Sequence, residues 1–163
     1  MPLRDLPPVV NNVPGATAIA QFLDRSEWVQ QSGNPVSYAP LIRKSPLPGS
    51  AAKPVIVQFA KGDVTVPNPT TSAILRAGAL QDRATFFRND LAFVASPGVP
   101  KNPHTFLTNI GIPASAPYAI AAQQQIAAFF ASNGALTIDP DGPGAFFETP
   151  VVLPLPESLS FIP

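Results

Sequence analysis

One apolar run constrains this chain more than any other feature. Val55, Ile56, Val57, Gln58, Phe59 and Ala60 form a short, nearly continuous stretch rich in β-branched residues, entered by Pro54 and ended by Gly62. Alternation would mark a strand with one wet face; this continuity predicts a strand covered on both faces, as in a parallel sheet. A parallel neighbour needs a crossover, and the following residues supply one. Asn68 is a good N-cap and Pro69 suits the first helical position. Ile74 and Leu75 give that helix an apolar side, and Gly78 is placed to end it. Ala84, Thr85, Phe86 and Phe87 read as a second strand. Residues 54–88 are therefore expected to form one right-handed β-α-β unit with parallel strands.

The flanks are read in the same way. Residues 1–14 are a lead-in rich in Pro and Asn. In 16–31, Ile19, Phe22, Leu23 and Ser26 recur at helical spacing, and Gly33 can close the helix. Residues 34–53 hold five Pro or Gly and read as a loop, as do 89–114, with four prolines. A final helix is expected over 116–133. Ser115 is its cap, Ala119, Ala122, Ile126, Phe129 and Phe130 are its face, and Asn133-Gly134 is its end. The tail, 135–163, alternates prolines with short apolar runs and is expected to wrap a surface in extended form. The expected organisation is a single partial domain over 1–163. It has a helix-and-loop lead-in over 1–52, a β-α-β-loop-helix core over 53–134, and an extended Pro-rich tail.

Composition narrows the chemistry. The 22 prolines are unusual, but Pro and Gly together make about a fifth of the chain. That lies below the roughly 25–30% of low-complexity chains, so long ordered loops are expected. Charged residues are 12%, about half the usual share, with zero formal net charge and no basic run. Nothing here attracts a nucleic-acid backbone or an anionic membrane over distance, so nucleic acid is not an expected partner. There is no cysteine, which excludes disulfides, thiolate catalysis and Cys-type zinc sites. No apolar signal region opens the chain, and Gln123, Gln124 and Gln125 interrupt its most apolar long stretch, so no membrane span is expected. A soluble chain is expected. Its compartment is left open, and secretion would require a signal lying upstream.

Two residues carry the candidate chemistry. Asp63, in Gly62-Asp63-Val64-Thr65-Val66-Pro67, lies where the buried strand gives way to the helix. In open α/β sheets, sites form beyond the carboxyl ends of the strands. A carboxylate there can accept the Nδ1 proton of a histidine and hold its tautomer. The plainer reading is that Asp63 caps the following turn through its own backbone. His104, in Asn102-Pro103-His104-Thr105-Phe106, is the only histidine, on the loop after the second strand. Imidazole is a natural general base near neutral pH; the plainer reading is a solvated loop side chain. Acid, crossover helix, strand, histidine loop is an order that brings both side chains to one edge.

These residues carry a resemblance. Asn34-Pro35, Tyr38-Ala39-Pro40, Lys53-Pro54-Val55-Ile56-Val57, Gly62-Asp63-Val64-Thr65-Val66-Pro67 and His104 together resemble the C-terminal segment of the α/β-hydrolase superfamily, most of all bacterial lipases and esterases. The resemblance covers about 100 of the 163 residues. It implies an α/β fold made of the C-terminal portion of an α/β-hydrolase: an incomplete parallel sheet with flanking helices and long Pro-rich loops. It also implies a triad in the order Ser, Asp or Glu, His, with Asp63 as acid, His104 as base, a small-molecule or lipid ester as substrate, and no metal or organic cofactor. The chain departs from the family in one respect. It has no Gly-x-Ser-x-Gly nucleophile elbow; Gly49-Ser50-Ala51 lacks the second Gly and precedes a strand. The serine is therefore expected on a missing N-terminal part of the same enzyme or on a separate chain. The alternative function is a non-catalytic binding or structural module, since fold alone does not fix function.

Overall fold

The computed structural model describes residues 15–163, so the lead-in over 1–14 falls outside the described residues. The architecture is mixed α/β, with helices on both faces of a small three-stranded sheet. The helices are α1 (Ala16–Gln30), α2 (Pro35–Ile42), α3 (Asn68–Gly78), α4 (Asn89–Ala95) and α5 (Ala116–Ala131). The strands are β1 (Val57–Ala60), β2 (Ala84–Phe87) and β3 (Phe147–Glu148), in the order β1-β2-β3.

The β-α-β unit forms where the apolar pattern places it. β1 and β2 are parallel, with Val57 opposite Ala84 and Ala60 opposite Phe87, and α3 joins them. Strand alternation then sorts the side chains into two layers. On one face Phe59, Ala84 and Phe86 pack with Leu75 and Leu80. On the other Ala60 and Phe87 pack with Phe106, Ala122 and Phe147. The second face also carries a polar rung. Gln58 Nε2 donates to Gln125 Oε1 at 2.6 Å and to the Ala122 carbonyl at 3.0 Å. Gln125 Nε2 donates to Thr85 Oγ1 at 2.8 Å. A glutamine as buried as Gln125 needs these partners, because an unpaired buried amide is costly.

The described sheet is mixed where a parallel one was expected. The tail supplies β3, which runs antiparallel to β2 with Phe87 opposite Phe147. Beyond it the tail returns over α3. Ser72 Oγ donates to the Pro156 carbonyl at 2.6 Å, and Arg76 pairs with Glu157.

Several local expectations are corrected. Residues 34–53 are not all loop, because Asn34 caps α2 by accepting from the Val36 N–H at 3.0 Å, with Pro35 in the first turn. That is the very signal read one element later at Asn68. There Pro67 holds the cap position, and the Asn68 amide instead donates to the Ser158 carbonyl and Ser160 Oγ. Gly78 is the last residue of α3, and Ala79 takes the left-handed conformation beyond it. Glycine is required at 78 because a Cβ would lie 2.9 Å from the Ala39 carbonyl of α2. The stretch 89–114 contains α4 and a 3-10 turn, Phe106–Gly111. Ser115 precedes α5 but makes no capping bond. Asn133 and Gly134 do end that helix with positive φ. Its buried stripe includes Gln125 and leaves Phe130 71% exposed.

α1 is helical over nearly the expected span, but its apolar stripe is not covered: Phe22 is 68% and Leu23 53% exposed. No helix among the described residues is long and apolar enough to cross a membrane.

Candidate active site

The site sits at the carboxyl ends of β1 and β2. The Lys61 N–H still bonds to the Phe87 carbonyl, at 2.8 Å, so the sheet ends only one residue before the turn. Gly62 then takes φ 81°, a left-handed conformation that glycine adopts without strain. Its missing side chain also leaves room for the tail, since a Cβ would lie 2.9 Å from the Ser160 carbonyl. The chain reverses there, and Asp63 projects from the edge.

Asp63 does both things the sequence allowed. Its Oδ1 accepts from the Thr65 N–H at 2.7 Å and the Val66 N–H at 2.8 Å, capping its own turn. Those bonds fix the carboxylate plane and leave Oδ2 free for another donor. Oδ2 lies 3.0 Å from His104 Nδ1. The Asp63 side chain is only 12% exposed, whereas that of His104 is 41% exposed. Nε2 has no hydrogen-bond partner among the described residues, so the half-exposed ring can offer it to a further group.

His104 is delivered by a pinned loop. Pro103 and Phe106 are buried on either side of it. Phe106 stacks on Phe87 of β2 with ring centroids 5.1 Å apart. Asn89, buried at the start of α4, donates to the carbonyls of Pro100 and Lys101 at 3.1 and 3.3 Å. Asn102 closes the gap to the acid. Its Oδ1 accepts from the Val64 N–H at 3.1 Å and the His104 N–H at 3.2 Å. Asn102 stands near His104 in the sequence and has no role in the expected pair. The signal was an Asx-type spacing, Asn followed two residues later by a backbone N–H to be capped.

Beside this pair lies an ion cluster that ties the strand ends together. Asp90 accepts from Lys61 Nζ at 3.0 Å and from Arg88 Nε and Nη2 at 3.0 and 2.9 Å. Arg88 Nη1 also reaches Glu148 of β3 at 3.0 Å. Burial alone raises the Asp90 carboxyl, but the hydrogen bonds and charges of Arg88 and Lys61 outweigh it and bring it down to about 2. An unfolded aspartate titrates near ~4, so between those values the unfolded chain binds the proton and the folded chain does not. The cluster's contribution is therefore complete above about pH 4 and lost as pH falls through about 2, on the order of 1–2 kcal/mol. Urea midpoints measured across that range should fall steeply for the wild type and more gently for Asp90→Asn. Equal slopes would contradict this.

No serine hydroxyl is hydrogen-bonded to His104 among the described residues. Ser160, whose carbonyl lies against Gly62, accepts from Asn68 through its hydroxyl. No group of three or more His, Cys, Asp or Glu able to hold a metal occurs among the described residues. Both predicted site residues are thus brought together, with one imidazole nitrogen available to a further group. Compared with family models, with curated proteins and with solved structures, the chain matches none of them.

Proposed function

We propose that this chain is the acid–base portion of a serine hydrolase of the α/β-hydrolase type, acting on carboxylic esters of small molecules or lipids. The observation that carries this reading is the 3.0 Å approach of Asp63 Oδ2 to His104 Nδ1, beyond the carboxyl ends of two parallel strands. A serine supplied from outside these residues attacks the ester carbonyl. His104 takes the serine proton through Nε2 and returns a proton to the leaving alcohol. Asp63 holds the imidazole in the Nδ1–H tautomer and stabilises the imidazolium. Water, activated by the same histidine, then hydrolyses the acyl-enzyme.

The edge of the sheet left without a partner strand among the described residues supports this reading. β1 lies at the sheet's end. Because the Lys61 N–H points to β2, strand alternation turns the backbone groups of Ile56, Gln58 and Ala60 the other way, where a further strand can pair. A larger sheet carrying the serine on a strand-to-helix turn fits that edge.

The test is labelling by a fluorophosphonate probe, which reports an activated serine. Residues 1–163 alone should remain unlabelled, since their sequence holds no Gly-x-Ser-x-Gly elbow. The complete genomic reading frame containing them, or the chain combined with its serine-bearing partner, should be labelled on one serine. Stoichiometric labelling of the isolated chain would overturn the proposal that the nucleophile comes from elsewhere.

A further inference from the structure

We propose that Asn102 is a positioning residue that sets the hydrogen-bond geometry of His104 by tying the histidine loop to the Asp63 turn. The inference rests on the reading of Asp63 and His104 as an acid–base pair. One side-chain oxygen, Asn102 Oδ1, serves backbone donors on both segments, Val64 at 3.1 Å and His104 at 3.2 Å. The same amide's Nδ2 lies 3.5 Å from Thr65 Oγ1. Apart from the Asp63–His104 bond itself, every hydrogen bond joining these two loops among the described residues runs through Asn102.

The consequence is geometric. Three successive backbone N–H groups, of Val64, Thr65 and Val66, are fixed by two side chains: Asn102 takes the first, and Asp63 Oδ1 takes the other two. The turn that aims Asp63 Oδ2 is thereby locked to the loop that aims the imidazole. The other anchors of the histidine loop, Asn89, Pro103 and Phe106, fix it to α4 and the core and leave its distance to Asp63 unset. Hydrogen bonds weaken steeply with misalignment, and a shift of about 1 Å at a catalytic group costs up to about 10²-fold. Asn102 itself is exposed, so its removal leaves the core intact.

His104 is the only histidine, so ¹⁵N NMR of the whole chain reads one imidazole without ambiguity. At a pH where the ring is neutral, the wild type should show the Nδ1–H tautomer, and Asp63→Asn should lose it. Asn102→Ala should lose it equally, although Asp63 is still present. Asn102→Asp should keep it, because a carboxylate oxygen can accept from the same two N–H groups. Retention of the Nδ1–H tautomer in Asn102→Ala would overturn the inference and leave the acid–base pair standing. Loss in Asn102→Asp as complete as in Asn102→Ala would also overturn it, since the shared acceptor would then not be what matters. A wild-type ring in the Nε2–H form would remove the pairing itself, and the proposed function with it.

Discussion

In the complete enzyme that the proposed function implies, His104→Ala should abolish ester turnover, and Asp63→Asn should lower kcat by up to about 10⁴-fold with little effect on folding. The two losses have different origins. Without the imidazole no group removes the serine proton, so the nucleophile stays a weak neutral alcohol. With asparagine at 63 the ring remains, but once the amide oxygen caps the turn its NH2 faces Nδ1 and holds the ring in the wrong, Nε2–H tautomer. A carboxylate facing the developing imidazolium is also gone. Oδ1 of Asp63 also accepts from Thr65 and Val66, and an asparagine oxygen can take over that task. The turn should therefore survive in Asp63→Asn and not in Asp63→Ala. Steady-state kinetics with a soluble ester, together with far-UV circular dichroism, measures both halves. Full activity without His104 would leave the pair without a catalytic role and favour the binding-module reading.

Phe87→Ala should have the largest effect on stability, a loss of about 3–5 kcal/mol. Phe87 is 2% exposed. Its ring meets those of Phe106, Tyr118 and Phe147 at centroid distances of 5.1, 5.4 and 5.1 Å. Truncation removes the apolar area and leaves a cavity that three separate elements would have to close. Those elements are the histidine loop, α5 and β3, so the damage should spread to the site: Phe106 lies two residues beyond His104. Urea unfolding of the chain measures the loss. A change below about 1 kcal/mol would mean that the ring cluster does not hold these elements together.

What was legible in the sequence was whatever depended on neighbouring residues alone. The run from Val55 to Ala60 carries the pattern of a strand, of which Val57–Ala60 forms one, and the Asn-Pro and Gly signals after it mark a crossover, so β1, α3 and β2 are readable. α2 is equally legible in Asn34-Pro35, since a proline in the first turn starts a helix instead of breaking it. What was not legible depended on distant contacts. Asn68 looks like a cap, yet its amide is engaged by the tail some 90 residues on. Gly78 does end its helix, but the close approach of Ala39, which also requires glycine there, is set by a distant segment. Gln125 looks like a surface residue at the end of a run of three glutamines, yet it is buried because Gln58 and Thr85 satisfy it. β3 has only two residues and no strand pattern of its own; its pairing is set by β2. The site followed the same division. The order of Asp63, helix, strand and His104 was enough to bring acid and base to one edge. Asn102 was invisible as a link, because its second donor, Val64, lies 38 residues away.

The most direct measurement is a crystal structure of the complete enzyme after reaction with a fluorophosphonate. The proposed function requires the phosphonylated serine to lie beside β1, with its Oγ about 2.6–3.2 Å from His104 Nε2 and with Asp63 still on Nδ1. A phosphonylated serine paired with a different histidine, with His104 facing open solvent, would contradict it.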